Sequence, residues 1–574
     1  MSSNPFSHGH FYVNPTYREH IRSTIDGIDM SAADARSTRA GLEAIIDVPS
    51  AYWLDTKEHV TGRGRTDTLE GILADAARES DPPLCVFIVY NLPNRDCKAL
   101  ASNGRVCCSY LPDGTCDYEA QNDCADGINE YMSEYIDQIV GALQAFPQVP
   151  VALVIEPDSL PNLVTNQNDP RCASASTNAA YREGITQAIM ALHAVPSVSL
   201  YLDAGHGGWL GWAEQAEKFA ALLAEMGVLH MLRGFSVNVA NYQPLGTPCP
   251  ATSFPLHEYC KRGGGREPPA CCRDECGLIE QWSDGNNELN YVQMLAGHLR
   301  EHGMSSPRFI IDTGRNGIDD MREDCSNWCN IRGAGLGLWP SADTALPGLV
   351  DAYYWLKTPG ESDGCTSHLP DGSSCPRYDG SCGSVDSLGS RFGEPFAPEA
   401  GQWFASQAAQ LASHQHIRFQ SNAVLGRAHS PSPPPRWTRP PRPAATSPPP
   451  LPSPPPPPPP LRLRKAVGAR AADASDSSLM AAALLLLVVA VLIPAACFAR
   501  NGRSWWRRLR GRTPLTTKDV VAVGACNEVE QGVAEHEHEP ETHEGGNARR
   551  GERLTVLGIE KSGVQVRVAS CDLD

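Results

Sequence analysis

The sequence has no excess of positive charge and lacks the usual cysteine spacing of a metal site. It carries 48 Lys and Arg residues against 66 Asp and Glu residues, a formal net charge of −18. Nucleic-acid phosphates require a basic surface, so this balance excludes DNA and RNA as partners. Zinc sites use spaced pairs such as C-x2-C with histidine nearby, and adjacent cysteines such as Cys107 and Cys108 do not fit that pattern. We therefore expect neither a metal ion nor another cofactor.

The cysteines that are present indicate disulfide bonds. Of the 20 cysteines, 17 fall between Cys85 and Cys382. Most lie among Gly, Pro, Asp and Ser, which are residues of turns and loops. Cys85 lies instead in an apolar run and is expected to be a free, buried thiol, which leaves sixteen cysteines for pairing. A disulfide-rich domain belongs in an oxidising compartment, so we expect it outside the cell.

The first residues do not resemble a signal peptide. Met1 is followed by SSNPFSHGHF, which has no basic start and no apolar core. Because the cysteines indicate secretion, we expect the natural protein to begin upstream of Met1.

Composition divides the chain into four regions. Residues 1–415 are expected to form one globular domain, and residues 416–478 a Pro- and Ser-rich linker with a polyproline II stalk. Residues 479–499 form an uncharged run, and ~20 such residues are enough to span a bilayer. Several arginines follow the run, beginning with Arg500. We expect a single membrane span there, residues 500–574 as a disordered cytoplasmic tail, and the domain secreted or on the extracellular face of the plasma membrane. The alternatives are a buried core helix, for which neither neighbouring region could supply a core, and an error in the gene model.

Seven short apolar runs in the first region predict β-strands. They are residues 51–54, 84–90, 151–155, 198–202, 234–237, 308–311 and 352–356. Continuous apolar character predicts strands buried on both faces, and hence a parallel sheet. Helix-like segments lie between them at residues 127–146, 179–195, 213–226 and 291–302. Seven alternating units favour a TIM-like α/β barrel over an open sheet.

Acidic or amide side chains follow all seven runs. They are Asp55, Asn91, Asp96, Glu156, Asp158, Asp203, Asn238, Asp312 and Asp363, with Lys357 beside the last. A single Asp after a strand is usually a turn former or a helix cap. In a parallel barrel, however, these strand ends share the face on which active sites lie. Crowded carboxylates raise one another's pKa, and a carboxyl that stays protonated is what glycoside cleavage requires.

Three tryptophans lie near these strand ends. Trp209 and Trp212 come just after Asp203, and Trp328 precedes Cys329. An isolated tryptophan is more often a core residue. Flat aromatic faces also stack on pyranose rings, and beside a carboxylate-lined strand end we expect that role.

Five longer motifs surround these strand ends: YNLPNRDCKALASNG (90–104), VIEPDSLPNLVTN (154–166), YLDAGHGGWLGW (201–212), NVANY (238–242) and KTPGESDG (357–364). Together they resemble glycoside hydrolase family six, which comprises cellobiohydrolases and endoglucanases. The similarity runs from about Asn4 to about Gln415. It implies a distorted seven-stranded β/α barrel and hydrolysis of β-1,4-glucosidic bonds with inversion of configuration.

The resemblance also implies catalytic roles. Asp158 matches the general acid that protonates the departing glycosidic oxygen. Asp96 matches its partner, which raises the pKa of the acid and receives a proton through water. Asp363 matches the proposed base, while Tyr90 and Ser102 match the groups that hold the distorted sugar and the attacking water.

Further positions match substrate-binding residues of the family. They are Asp203, Arg95, His206, Trp209, Trp212, Asn238, Arg315, Trp328, Lys357 and Glu361. The implied substrates are cellulose and cello-oligosaccharides, bound by a monomer.

Two disulfides are implied as well, and they bear on the mode of action. Cys97–Cys172 would tie the loop of Asp96 to the segment after Asp158, and Cys329–Cys382 would close the loop that holds Asp363. In exo-acting members both loops roof a tunnel, whereas endoglucanases tend to lack the second. We therefore expect a cellobiohydrolase, with an endo-β-1,4-glucanase as the alternative. A non-catalytic glucan-binding wall glycoprotein would be marked by loss of Asp158, which is present.

Overall fold

The computed structural model describes residues 3–261 and 268–414. The predicted linker, membrane span and tail lie outside these residues. Within them, no helix combines the length and the apolar character needed to cross a bilayer.

The seven predicted strands are confirmed, and all are parallel. They form one sheet in sequence order, with each strand paired to the next. The strands are β1 (Tyr52–Leu54), β2 (Cys85–Val89), β3 (Val151–Ile155), β4 (Val198–Asp203), β5 (Gly234–Val237), β6 (Phe309–Asp312) and β7 (Val350–Tyr354). β2, β3, β5, β6 and β7 are buried along their whole length, which is why their sequences are apolar without alternation.

The sheet curls into a barrel that closes only in part. No ladder joins β1 to β7 within the described ranges. Instead, the Ala51 N–H donates to the Trp355 carbonyl at 2.9 Å, and the Trp53 indole N–H donates to the Leu356 carbonyl at 3.0 Å. These bonds bring the two edges together beside the carboxyl ends of the strands.

Helices lie between the strands and at both ends of the domain. The α-helices of the described residues are α1 (Pro15–Asp26), α2 (Ala35–Ile45), α3 (Leu69–Ala76), α4 (Ala125–Tyr131), α5 (Asp137–Ala145), α6 (Ser159–Thr165), α7 (Pro170–Ala173), α8 (Ala175–Ala179), α9 (Ile185–His193), α10 (Gly207–Leu210), α11 (Ala213–Met226), α12 (Leu256–Lys261), α13 (Glu288–Glu301) and α14 (Ala405–Ser413).

Two of the predicted helical segments contain a π-helical turn. The turns Met132–Ile136 and Ala180–Gly184 join α4 to α5 and α8 to α9. Each carries a buried tyrosine directed at a strand-end loop. The Tyr135 hydroxyl donates to the Leu54 carbonyl, and the Tyr181 hydroxyl donates to the Asn94 carbonyl at 2.8 Å. π-turns are common near functional sites, and these two position the loops after β1 and β2.

The amino-terminal segment fills the barrel interior. Phe6 is fully buried, and its ring contacts Tyr201 and Tyr354 at centroid distances of 6.2 and 5.6 Å. The nearby Asn4 amide donates to the carbonyl of Asp351, at the start of β7, at 2.7 Å. The amino end of the barrel is therefore plugged, which leaves the carboxyl end for a cleft.

The last predicted strand differs from the observed one. The prediction placed it at residues 352–356, whereas β7 ends at Tyr354. Trp355 is apolar for another reason, because its buried side chain packs in a separate core with residues of α1, α2 and α14. Apolar character indicates burial and not strand pairing, so the predicted strand extends beyond the carboxyl end of β7.

All sixteen cysteines expected to pair do so, and Cys85 is a buried free thiol as predicted. The pairs are Cys97–Cys172, Cys107–Cys116, Cys108–Cys124, Cys249–Cys271, Cys260–Cys272, Cys276–Cys325, Cys329–Cys382 and Cys365–Cys375. Both pairs implied by the family resemblance are among them.

Candidate active site

Two of the strand-end carboxylates support the backbone instead of facing the cleft. Glu156 accepts hydrogen bonds from the backbone N–H groups of Asn91 and Leu92 at 3.1 and 3.2 Å, and from the Tyr131 hydroxyl at 2.8 Å. Asp312 accepts four backbone N–H groups from the loops after β5, β6 and β7 at 2.9–3.2 Å. These carboxylates hold neighbouring strand ends together, which fixes the positions of the other acidic side chains.

Asp158 lies immediately after β3, at the start of α6. Its φ of 66° is a left-handed conformation that Asp tolerates better than most residues. Its backbone N–H donates to Oδ2 of Asp203 at 3.0 Å. Burial, together with the charges of Asp203, Asp96 and Asp363, raises the pKa of the Asp158 carboxyl well above its usual value. No hydrogen bond from a described residue offsets that rise, so the surroundings of the carboxyl favour its protonated form.

Asp96 is a buried residue of the loop that follows β2. Its Oδ2 accepts a short hydrogen bond from the Tyr90 hydroxyl. The guanidinium of Arg95 lies 4.1 Å from the centre of the Tyr90 ring and donates to the Ser102 carbonyl at 3.0 Å. Burial raises the pKa of Asp96, and Arg95, the Ser102 side chain and Tyr90 oppose the rise. Four of the sequence-predicted residues thus form one contiguous group.

Asp363 is held by a set of donors. The Arg315 guanidinium contacts both carboxylate oxygens at 2.8 and 2.7 Å, and the Tyr242 hydroxyl donates at 2.9 Å. The backbone N–H of Asn330 donates to the same carboxylate at 2.8 Å. Arg315 is 1% exposed, so the pair is shielded from water and Asp363 presents a fixed negative charge.

Asp203 is the last residue of β4, and its carboxylate contacts the backbone of Asp158. Its Oδ2 accepts the backbone N–H of Gly205 at 3.0 Å as well as that of Asp158. Burial raises the pKa of Asp203 to about 6, despite the hydrogen bonds to its carboxylate. Asp203 therefore both positions Asp158 and disfavours its ionisation.

Lys357 and Glu361 lie beyond β7 on the side of the cleft near β1. The Lys357 ammonium lies 4.9 Å from the Trp53 ring centre and 3.7 Å from the Glu361 carboxylate. Burial raises the pKa of Glu361 to about 7, and Lys357 opposes this. The Trp53 ring also packs edge-on against Tyr90, with centroids 5.0 Å apart, so this cluster is continuous with the Asp96 group.

A row of aromatic side chains forms the opposite side. The indole N–H of Trp209 donates to Thr165 Oγ1 at 2.7 Å, and that of Trp212 donates to the Gln281 carbonyl at 2.8 Å. Both rings are partly exposed. The His206 ring lies 5.9 Å from Trp209, and burial lowers its pKa to about 3. Its Nδ1 is buried and has no hydrogen-bond partner among the described residues, and the substrate-binding role predicted for His206 stays a prediction.

Asn238 has its amide occupied by the protein. It is fully buried, its Nδ2 donates to the Asp312 carbonyl at 2.9 Å, and its Oδ1 accepts the backbone N–H of Gln243 at 3.0 Å. The structure thus places it in the scaffold between β5 and β6.

Sequence reasoning did not single out several residues that shape the site. Tyr242 and Asn330 hold Asp363, and Glu288 accepts the N–H of Gly207 at 2.8 Å, which anchors the start of α10. Tyr242 lay within the quoted NVANY motif, so a signal for it was available. Asn330 and Glu288 lie in loop and helix positions that no motif marked.

The two disulfide-closed loops meet above the cleft. The Leu100 N–H donates to Asp379 at 3.0 Å, and Arg377 donates to the Asn103 carbonyl at 3.1 Å. Trp328, partly exposed, packs beside Ala101 and the Cys329–Cys382 bond. These contacts therefore join the Ser102 loop to the loop that carries Asp363 and form a roof over this end of the barrel.

A parallel β/α barrel whose carboxyl end combines crowded carboxylates with exposed tryptophans under a roof is the architecture of a glycoside hydrolase. The family described as "Glycosyl hydrolases family 6" matches residues 6–261 and 270–415. The chain belongs to this family.

Named relatives and solved structures agree with that assignment. A "Probable 1,4-beta-D-glucan cellobiohydrolase C" of Aspergillus clavatus is 37% identical over 424 residues, 73% of this chain and 77% of the relative. "Exoglucanase 3" of Agaricus bisporus is 34% identical, over 72% of this chain and 79% of the relative. The catalytic core of a cellobiohydrolase from Chaetomium thermophilum superposes with a TM-score of 0.55 at 34% identity, covering 72% of this chain and 99% of that one.

Proposed function

We propose that the chain is a cellobiohydrolase that cleaves β-1,4-glucosidic bonds of cellulose and cello-oligosaccharides with inversion, acting as an extracellular monomer. The observation that carries this proposal is the buried Asp158 carboxyl, whose pKa is raised well above its usual value by burial and by the charges of Asp203, Asp96 and Asp363. An acid whose pKa is raised by burial and neighbouring charge can protonate a glycosidic oxygen near neutral pH. Eight disulfides among the described residues support an oxidising compartment.

The remaining roles follow from the contacts of each group. Asp158 donates its proton to the leaving sugar, and Asp203 and Asp96 keep that proton on the acid before reaction. Asp96, with Tyr90 and Ser102, accepts the one proton of the attacking water through a second water. Asp363 is the alternative acceptor of that same proton, and because four hydrogen bonds already engage its carboxylate, its charge stabilises the developing oxocarbenium ion.

The bridge between the two roof loops supports exo action over the endo alternative. The contacts between Leu100 and Asp379 and between Arg377 and Asn103 bridge the two roof loops. A polymer must then enter by its end, and cellobiose leaves while the chain stays bound. The partly exposed Trp209 and Trp212 supply stacking faces along that path.

Product analysis tests the proposal. We expect wild-type protein to release cellobiose from swollen cellulose with little loss of viscosity of a soluble cellulose derivative. The first product released from cellotetraose should be the α-anomer. NMR spectra recorded before mutarotation measure which anomer forms. An early, large fall in viscosity would indicate endo action, and a β-anomer would contradict inversion.

We also propose that residues 416–478 form a stalk and residues 479–499 a membrane span that tethers the enzyme at the cell surface. The uncharged run 479–499 and the arginines that follow it support this layout. We expect the full chain to remain in membranes after alkaline carbonate extraction, and a chain ending at residue 415 to be released. Release of both forms would contradict the tether.

A further inference from the structure

Trp282 is an exposed tryptophan that has no role in the catalytic cleft described above. Its side chain is 65% exposed, the largest exposure of any described tryptophan. Its φ is 59°, in the left-handed region that bulky residues rarely adopt. A strained backbone that presents a large apolar side chain to water calls for a function at that position.

The position of Trp282 connects it to the aromatic side of the cleft. The residue before it, Gln281, accepts the indole N–H of Trp212 through its carbonyl at 2.8 Å. Trp282 is therefore the chain neighbour of a residue that contacts Trp212. Its ring meets His257 edge-on, with centroids 6.3 Å apart and an interplanar angle of 82°. That contact orients the indole while leaving most of it accessible.

Hydrogen bonds and a disulfide fix the segment that carries Trp282. The carboxylate of Asp274 accepts the backbone N–H groups of Leu278 and Ile279 at 2.9 and 2.8 Å. The Cys276–Cys325 disulfide fastens the same segment to the loop that carries Trp328. A preorganised aromatic surface loses little entropy on binding, which favours affinity for a ligand that slides across it.

We propose that Trp282 forms an additional sugar-stacking surface outside the roofed cleft, where it binds a β-1,4-glucan chain beyond Trp212. The inference rests on the proposed function, because it requires Trp212 to contact the same polymer. Glucan is the occupant that fits, because Trp282 follows the residue that holds Trp212 of the aromatic row and offers an exposed, flat indole face.

The test compares polymeric and short substrates. Binding to swollen cellulose is measured in the Asp158→Asn background, so that turnover does not interfere, for Trp282→Ala, Trp282→Phe and Met190→Ala. Met190 is 58% exposed on α9 and serves as the matched control for loss of an exposed apolar side chain. In the otherwise wild-type chain, kcat/KM for cellotetraose is measured for the same three changes.

We expect Trp282→Ala to bind the polymer about 3- to 10-fold more weakly, the effect of one aromatic stacking contact. Trp282→Phe keeps a flat ring and should recover most of the affinity, whereas Met190→Ala and all cellotetraose values should be unchanged. Unaltered polymer binding by Trp282→Ala overturns the inference, and so does an equal loss on cellotetraose. If wild-type protein binds glucan without cleaving it, the proposed function fails, while the binding comparison still decides the role of Trp282.

Discussion

Asp158→Asn is expected to lower kcat on cellotetraose by about 10²- to 10⁴-fold, the usual contribution of a positioned general acid. Asparagine has nearly the same size and tolerates the left-handed φ of 66° at this position. The backbone N–H bond to Asp203 is retained as well. What is lost is the ionisable proton, so the loss of rate isolates proton donation from folding.

Two further measurements sharpen this result. An aryl cellobioside whose leaving group needs no protonation should be cleaved by Asp158→Asn at a rate much closer to wild type. In the wild-type enzyme, kcat should fall as the pH rises through the elevated pKa of Asp158, because the acid must be protonated to act. Asp47→Asn is the control, because the Asp47 side chain is 72% exposed. This substitution should leave kcat and its pH dependence unchanged. Retention of full activity by Asp158→Asn would assign the acid to another residue.

Arg315→Met is expected to destabilise the domain by about 3–5 kcal/mol, the usual cost of removing one partner of a buried ion pair. The side chains of Arg315 and Asp363 are 1% and 4% exposed. The Asp363 carboxylate would keep its bonds from Tyr242 and Asn330 but would lose its charge partner. Activity should fall as well, because the geometry of the Asp363 loop depends on that pair.

The surface pair Arg39–Glu43 provides the matched control. The two residues are one helical turn apart, and their side chains are 46% and 54% exposed. Water therefore screens the attraction between their charges. Arg39→Met should therefore change the free energy of unfolding by less than about 0.5 kcal/mol. Urea unfolding with the disulfides intact measures both variants. Equal effects of the two substitutions would refute the special role of the buried pair.

Much of the fold could be predicted because burial on both faces gives each strand a continuous apolar run. The seven strands are predicted on that basis, and the helix-like segment at residues 213–226 coincides with α11. The pairing of the inserted cysteines could not be predicted, because spacing alone permits many combinations. Only the folded loops show that Cys107 pairs with Cys116 while its neighbour Cys108 pairs with Cys124.

The candidate site illustrates a second limit. Glu156 and Asp158 are two residues apart after the same strand, and sequence pattern treats them alike. The structure separates them, because the Glu156 carboxylate turns to backbone N–H groups of the loop after β2 while Asp158 lies among other carboxylates. Tyr242 contacts Asp363 from 121 residues away, a distance at which no local pattern carries information.

The burial of Phe6 inside the barrel governs the route of the polymer. Because that ring, Tyr201 and Tyr354 occupy the central axis, a glucan strand has no passage between the strands from top to bottom. In the proposed cellobiohydrolase, the glucan chain therefore crosses the mouth of the barrel from one rim to the other. Substrate and product then use separate openings, so a released disaccharide can diffuse away while the remaining polymer advances behind it.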